Sequence, residues 1–365
     1  MNISYGIFKF IERDDYLKLH PGDPPLGLLS LVHDFRHRKA TMAWDKLYAI
    51  QGLIRTTEHS LNIPISYEEG FTTDLWSDFS KACIKHYRSL LVLALTDGVD
   101  IINGRDAGRS WSIDWGDYGK DEKRRPLWAG GLNDKLWYPL TARYQAAGNA
   151  KARVRTETLD RNVTLVQGFV HDTIVKLGHS ISRSASEPAY FTKILSAWEE
   201  IARTASPLES MSDANFHEIF NQTLMAGNWA KSSQDWRVWN TDTSSIPERA
   251  EYLAIRNAAL RGRRLFVTSS GKFGICHSDA QVNDIICVLL GSNVPFVLRK
   301  KPDRTGPLWR HWAFFARNDA HGRCCMPVRH MLVGQVYLHG IMWYNSDMER
   351  DIEEGRVTIQ NFFIR

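Results

Sequence analysis

The chain has 365 residues, 43% apolar and 24% charged with a net charge of +5, the make-up of a globular protein able to bury a sizeable core. Its basic residues are spread along the chain rather than gathered into a stripe interleaved with aromatics, which argues against a nucleic-acid partner. No run approaches the roughly 18 to 20 apolar residues of a membrane span, and Met1 to Arg13 lacks the basic-then-apolar pattern of a signal peptide, so the expected compartment is cytoplasmic.

In chain order, the first segment, 1–97, reads as helical. Leu26 to Arg38 and Trp44 to Ile54 are short candidates. Asp74 to Leu95 is the clearest, with Leu75, Phe79, Cys83, Tyr87 and Leu91 recurring every four residues. From 98 to 186 the pattern breaks into Gly-, Asp- and Trp-rich loops followed by strands at Ala152 to Thr158 and Val163 to Val175. A second helical block, 187–260, carries apolar faces at Phe191/Leu195/Trp198, Phe216/Phe220/Leu224 and Tyr252/Ile255/Ala259. Ser245-Ile246-Pro247-Glu248 has the spacing of a helix start.

The last segment, 261–365, reads as all β, with runs at Arg264 to Thr268, Ile285 to Leu290, Pro295 to Arg299, Trp309 to Phe315 and Leu332 to Leu338. Gly271-Lys272-Phe273-Gly274 reads as a turn. The expected fold is α+β: helical N-terminal and middle segments packed on antiparallel β-structure, ending in a β-meander or small barrel, all in one integrated domain.

Motifs for cofactor and metal chemistry are missing. There is no G-x-G-x-x-G, no phosphate-loop lysine motif, no H-E-x-x-H and no G-x-S-x-G. Five cysteines without a C-x-x-C pair read as reduced thiols, neither a disulfide framework nor a zinc site. No cofactor and no metal are expected. Thirteen tryptophans supply either a bulky core or an aromatic-walled pocket.

Several stretches, taken together, resemble the fungal heterokaryon-incompatibility (HET) family. They include Arg38-Lys39-Ala40-Thr41, Trp44 to Leu53, and Ile63-Pro64-Ile65-Ser66-Tyr67. Ser110-Trp111-Ser112-Ile113-Asp114-Trp115, Leu165 to Ile174, and the run from Gly262 to the closing Val333 to Met342 continue the likeness. The resemblance covers the later two-thirds of the family, so the family's N-terminal signalling domain is expected to be absent. After His339-Gly340-Ile341-Met342, this chain departs from the family's acidic continuation and has Trp343-Tyr344-Asn345-Ser346-Asp347.

The resemblance, with the signalling domain missing, implies two readings of different class. One is a cofactor-independent cyclase of the [4+2], Diels–Alder type, acting on an apolar terpenoid- or polyketide-like substrate in secondary metabolism. The other is a non-catalytic HET-type interaction protein of allorecognition or cell death. A ligand-binding module without turnover is a third. A cyclase needs aromatic walls to hold its substrate, where ordering supplies about 7 to 11 kcal/mol at best, and a donor to a carbonyl gaining charge.

Residue types that meet those needs are Trp111, Trp115, Trp229, Tyr337, Trp343 and Tyr344 as walls, and His171, Asp172, His339 and Asp114 as polar groups. Each has a plainer structural reading. Asp114 can cap a turn between core tryptophans, and either histidine can be a satisfied, partly buried one.

Overall fold

The computed structural model describes residues 44–51, 72–95, 144–155, 162–182, 187–205, 212–227, 247–301 and 328–365, with short pieces at 40–42, 109–113, 317–318 and 324–325 and a few single positions. Their helices are α1 (Asp45–Gln51), α2 (Thr72–Tyr87), α3 (Leu91–Ala94), α4 (Pro188–Ala205), α5 (Asp213–Leu224), α6 (Pro247–Leu260) and α7 (Met348–Glu353). The strands are β1 (Val154–Arg155), β2 (Thr164–Leu177), β3 (Arg263–Thr268), β4 (Phe273–His277), β5 (Ile285–Leu289) and β6 (Phe296–Lys300). They continue as β7 (Arg317–Asn318), β8 (Cys324–Cys325), β9 (Arg329–Gln335), β10 (Tyr337–Leu338) and β11 (Gln360–Ile364). The expected runs Leu26 to Arg38, for the most part, and Trp309 to Phe315 lie outside the described residues.

The chain divides into two compact units, residues 1–86 with 114–122, and residues 87–113 with 123–365. In the smaller, α1 buries Leu47 and Ile50. The four-residue spacing read from Leu75 and Phe79 becomes the buried stripe of α2, where Phe79 meets Trp76 and Trp115 edge-on, each at 6.4 Å between ring centroids. The expected continuation to Leu95 is broken. Arg88 takes a left-handed φ of 49°, a backbone state costly for a residue with a Cβ, and a separate short helix, α3, follows. Around the break, Arg88 and Leu90 are held instead by backbone hydrogen bonds to Ala152 and Gly291.

The larger unit is organised by β2, a 14-residue strand whose alternation was legible from Val163 onward. Its first half pairs antiparallel with β11 on one edge and with β5 on the other. From there the pairings run β5–β6, β6–β9 and β9–β11, the last parallel, and so return to β2. Its second half pairs with β3, from which β4 and β10 continue as an open arm. The described sheet therefore has nine strands and is mixed but mostly antiparallel; as a whole it is not a closed barrel. Several elements were not foreseen, β7, β8 and β11 among them. Phe273-Gly274, read as part of a turn, opens β4, and the supposedly all-β tail contains α7.

Helices cover the arm: α4 and α6 lie on β3, and α5 lies on β4. The face of α4 read from Phe191, Leu195 and Trp198 is buried, and the Trp198 indole N–H donates to the His179 carbonyl at 2.8 Å. Phe216 and Phe220 of α5 stack 5.7 Å apart and meet Phe273 of β4. A separate buried cluster of Ile174, Phe266, Cys276, Ile286, Val297 and Val333 joins β2, β3 and β4 to β5, β6 and β9.

Lateral register places Thr164, Ile364, His330 and Lys300 side by side on β2, β11, β9 and β6, so they share one sheet face. Burial pushes the His330 imidazole down to about 4, with the Lys300 charge adding to it and a hydrogen bond to Val328 opposing it. The unfolded chain would protonate His330 near 6.5, whereas the folded one resists until about 4. Stability is therefore complete above the unfolded value and falls as pH drops through that window, by about 3 kcal/mol at most. Denaturant midpoints measured from pH 7 to 4 should show this limb, and His330→Phe should flatten it.

Candidate functional site

Trp111 and Trp115, proposed as two walls around Asp114, are assigned to different units, and both are fully buried. Trp111 donates its indole N–H to the Asn162 carbonyl at 3.0 Å, and Arg109 donates to the Asn162 side chain at 2.8 Å. Between them Ser110 acts as a staple. Its hydroxyl donates to the Arg365 carbonyl and receives the Leu332 amide at 2.9 Å, linking the end of β11 to the middle of β9. Ser110→Ala should therefore lower stability by about 1 to 2 kcal/mol without touching any recognition surface; a denaturant midpoint would register it. Trp115 belongs to the α2 core, and its carbonyl accepts from Lys46 at 3.0 Å. Asp114 and Trp229 lie outside the described residues.

His171 and Asp172 are adjacent in sequence but not partners. The register of β2 against β5 shifts between Val170 and Asp172, leaving His171 as the extra residue of a bulge. His171 lies with its Nε2 3.3 Å from the Lys272 Nζ. Burial lowers its pKa, the Lys272 charge lowers it further, and Asp172 opposes both.

Asp172 is turned to the β3–β4 hairpin. Its carboxylate accepts from Ser269 Oγ at 2.5 Å, Ser270 Oγ, the Ser270 amide at 3.3 Å and the Thr173 amide at 2.7 Å. Burial pushes this carboxyl up, but the hydroxyls of Ser269, Ser270 and Thr268 and the Thr173 amide outweigh it and hold the group well below the carboxylate range. An acid pinned in its charged form cannot deliver a proton at neutral pH, so Asp172 locks a turn.

Tyr337 and Trp343 are brought together by a residue the sequence reading missed, while Tyr344 packs beside Met348 and turns to Asp351. Tyr144 lies edge-on to Tyr337 at 6.3 Å and to Trp343 at 5.3 Å. Its hydroxyl donates to the Ala226 carbonyl just beyond α5. Gly227, at φ 66°, sits so close to the Tyr337 ring that an added Cβ would meet it at 3.2 Å. Tyr144 and Tyr337 are buried, whereas Trp343 is 46% exposed. The three rings form a platform with one free indole.

Two sets of contacts hold the segment that carries Trp343. Gln145 bridges residue 343: its amide donates to the Met342 carbonyl at 2.9 Å, and its own carbonyl accepts from the Tyr344 amide at 2.9 Å. The residues that depart from the HET pattern supply the rest. Tyr344 donates to Asp351 at 2.5 Å, and Ser346 and Arg356 bind the same carboxylate. Hydrogen bonds from Ser346, Tyr344 and Arg356 hold Asp351 well below the carboxylate range. Asp347 caps α7 through the Arg350 amide at 3.2 Å and accepts from Asn149 at 2.9 Å.

His339, two residues after Tyr337, is half-buried. Burial lowers its pKa against the charge of Glu218. The signal that could have exposed Tyr144 is slight, a tyrosine a few residues after the aromatic run Trp137-Tyr138.

Among the described residues there is no cluster suited to a metal ion, and no helix is long and apolar enough to cross a membrane. Cys83, Cys276 and Cys287 are buried. Burial raises the Cys276 and Cys287 thiols, which makes them poor nucleophiles. No curated protein and no solved structure matches the chain. A family model described as the Het-6 beta-barrel domain matches residues 205–308, the stretch that holds α5, α6 and β3 to β6, and this supports a relationship to the heterokaryon-incompatibility family.

Proposed function

We propose that the chain is a non-catalytic HET-type interaction protein that docks a folded protein partner through the Tyr144–Trp343 platform. The observation that carries this reading is Trp343: a large indole left 46% exposed on a backbone that Gln145 bridges. Tryptophan and tyrosine dominate binding hot spots because they bury much area for little conformational entropy. The surroundings suit a protein interface, in which a polar rim surrounds an aromatic centre. Arg153 pairs with Glu349, and Asn149 with Asp347, on the segments that carry the platform. The match to the Het-6 barrel domain supports the same class.

The cyclase reading depends on tryptophans lining one hollow. Trp111 and Trp115 are each packed inside their own unit, and the histidine–aspartate pair is divided between two tasks, so that reading has no geometric support.

A photo-crosslinking amino acid placed at position 343 in the native host should trap one defined protein, to be identified by mass spectrometry. The complex should then re-form from purified components and weaken with Trp343→Ala. Turnover of an apolar diene-bearing substrate above the buffer-only rate would refute the proposal.

A further inference from the structure

Gln335 is fully buried at the end of β9, and neither its Oε1 nor its Nε2 has a hydrogen-bond partner among the described residues. Its position follows from a bulge. Val297 pairs with Gly334 and Leu298 with Leu332, so Val333 is the extra residue on β9. An uninterrupted strand would place residues 330, 332 and 334 on one face and send 335 to the other. The bulge reverses this, and Gln335, paired with Phe296, comes to share the face of His330 and Leu332.

That face lies along the strands whose pairings return to β2, and it is buried almost throughout. Val166, Leu289, Cys287, Leu298, Leu332, Phe362 and Ile364 are at most 2% exposed. Two more polar atoms on it lack partners among the described residues: Thr164 Oγ1 and His330 Nδ1, on residues 0% and 6% exposed. The His330 ring lies edge-on to Phe362 at 5.4 Å.

A carboxamide in an apolar setting with both ends unmet is costly, and the usual remedy is a guest that donates and accepts at once. We propose that the inner face of this strand ring holds an ordered water molecule seated against the Gln335 carboxamide, accepting from Nε2 and donating to Oε1. Thr164 and His330 offer further polar positions on the same face. Buried waters occur at about one per 27 residues in folded proteins and persist where they meet otherwise unpaired polar groups.

The test uses the intact chain. Oxygen-17 magnetic relaxation dispersion on wild type and Gln335→Met should differ by the amplitude of one long-lived water, with the variant's melting temperature no lower than wild type's. Equal amplitudes would overturn the proposal. If the variant fails to fold, a high-resolution crystal structure of the wild type decides. A solvent peak within hydrogen-bond distance of both amide atoms supports it. An amide bonded to protein groups, or a density too large for water, overturns it.

Discussion

Gly168→Ala should leave the larger unit unable to fold. Gly168 is paired on both edges of β2, with Gln360 of β11 and Leu289 of β5. A Cβ there would run into the Val288 carbonyl oxygen, and it would lie 2.9 Å from the Leu289 Cα and 3.0 Å from its Cδ2. Two of those atoms are backbone in the facing strand, so no rotamer change relieves the clash; the strands must part. Parting them opens the one strand that serves both the closed circuit of pairings and the arm.

The cost should exceed about 4 kcal/mol, the range of severe core disruption and a large share of a typical domain's stability. Gly355→Ala is the control. Its φ of 74° penalises a side chain, but open space surrounds the new methyl, so it should cost only about 1 to 2 kcal/mol. Far-ultraviolet circular dichroism with denaturant titration separates the two. A Gly168→Ala protein melting within a few degrees of wild type would show that β2 and β5 do not cross this closely.

Asp172→Ala should be the next most damaging change. It removes the acceptor that gathers Ser269, Ser270 and Thr173, and the β3–β4 turn loses its anchor to β2. Hydrogen bonds to a charged group each contribute more than neutral ones, and partial rehydration of the two exposed serines returns some of the loss. The net cost should be about 2 to 3 kcal/mol.

The pH dependence identifies the mechanism. The folded carboxyl titrates below its unfolded value near 4. Its contribution is thus complete above that value and is lost as pH falls below it. This limb lies on the acid side of the one assigned to His330, so the two can be resolved. Denaturant midpoints from pH 5 to 2 should fall in wild type and stay flatter in Asp172→Ala. An equally steep limb in the variant would assign it to other carboxyls.

Local periodicity made the α+β class legible, along with the stripes of α2 and α4 and the alternation of β2. What it could not reveal depends on partners distant in sequence. Gln360 to Ile364 has β-favouring residues in Phe362, Phe363 and Ile364 but no apolar–polar alternation, and it becomes β11 where β2 and β9 flank it. Phe273-Gly274 reads as a turn because glycine is a local signal for one, yet an added Cβ at Gly274 would strike the Tyr337 carbonyl of the neighbouring strand.

The candidate site was half legible. Trp343 and Tyr344 stood out because their segment departs from a resembled pattern just after Tyr337, while Tyr144 entered only through a bridge nearly 200 residues away along the chain. His171 and Asp172 looked like an acid–base pair because they are neighbours; a bulge gives them separate partners. Trp111 and Trp115 looked like walls because indoles suit pockets, and they proved to be core.

The recognition role assigned to Trp343 is tested most directly by isothermal titration of the crosslink-identified partner into purified wild type and Trp343→Ala. A hot-spot indole should raise Kd at least about 30-fold on truncation, with the melting temperature held within a few degrees. Equal affinities for the two proteins would contradict the assignment.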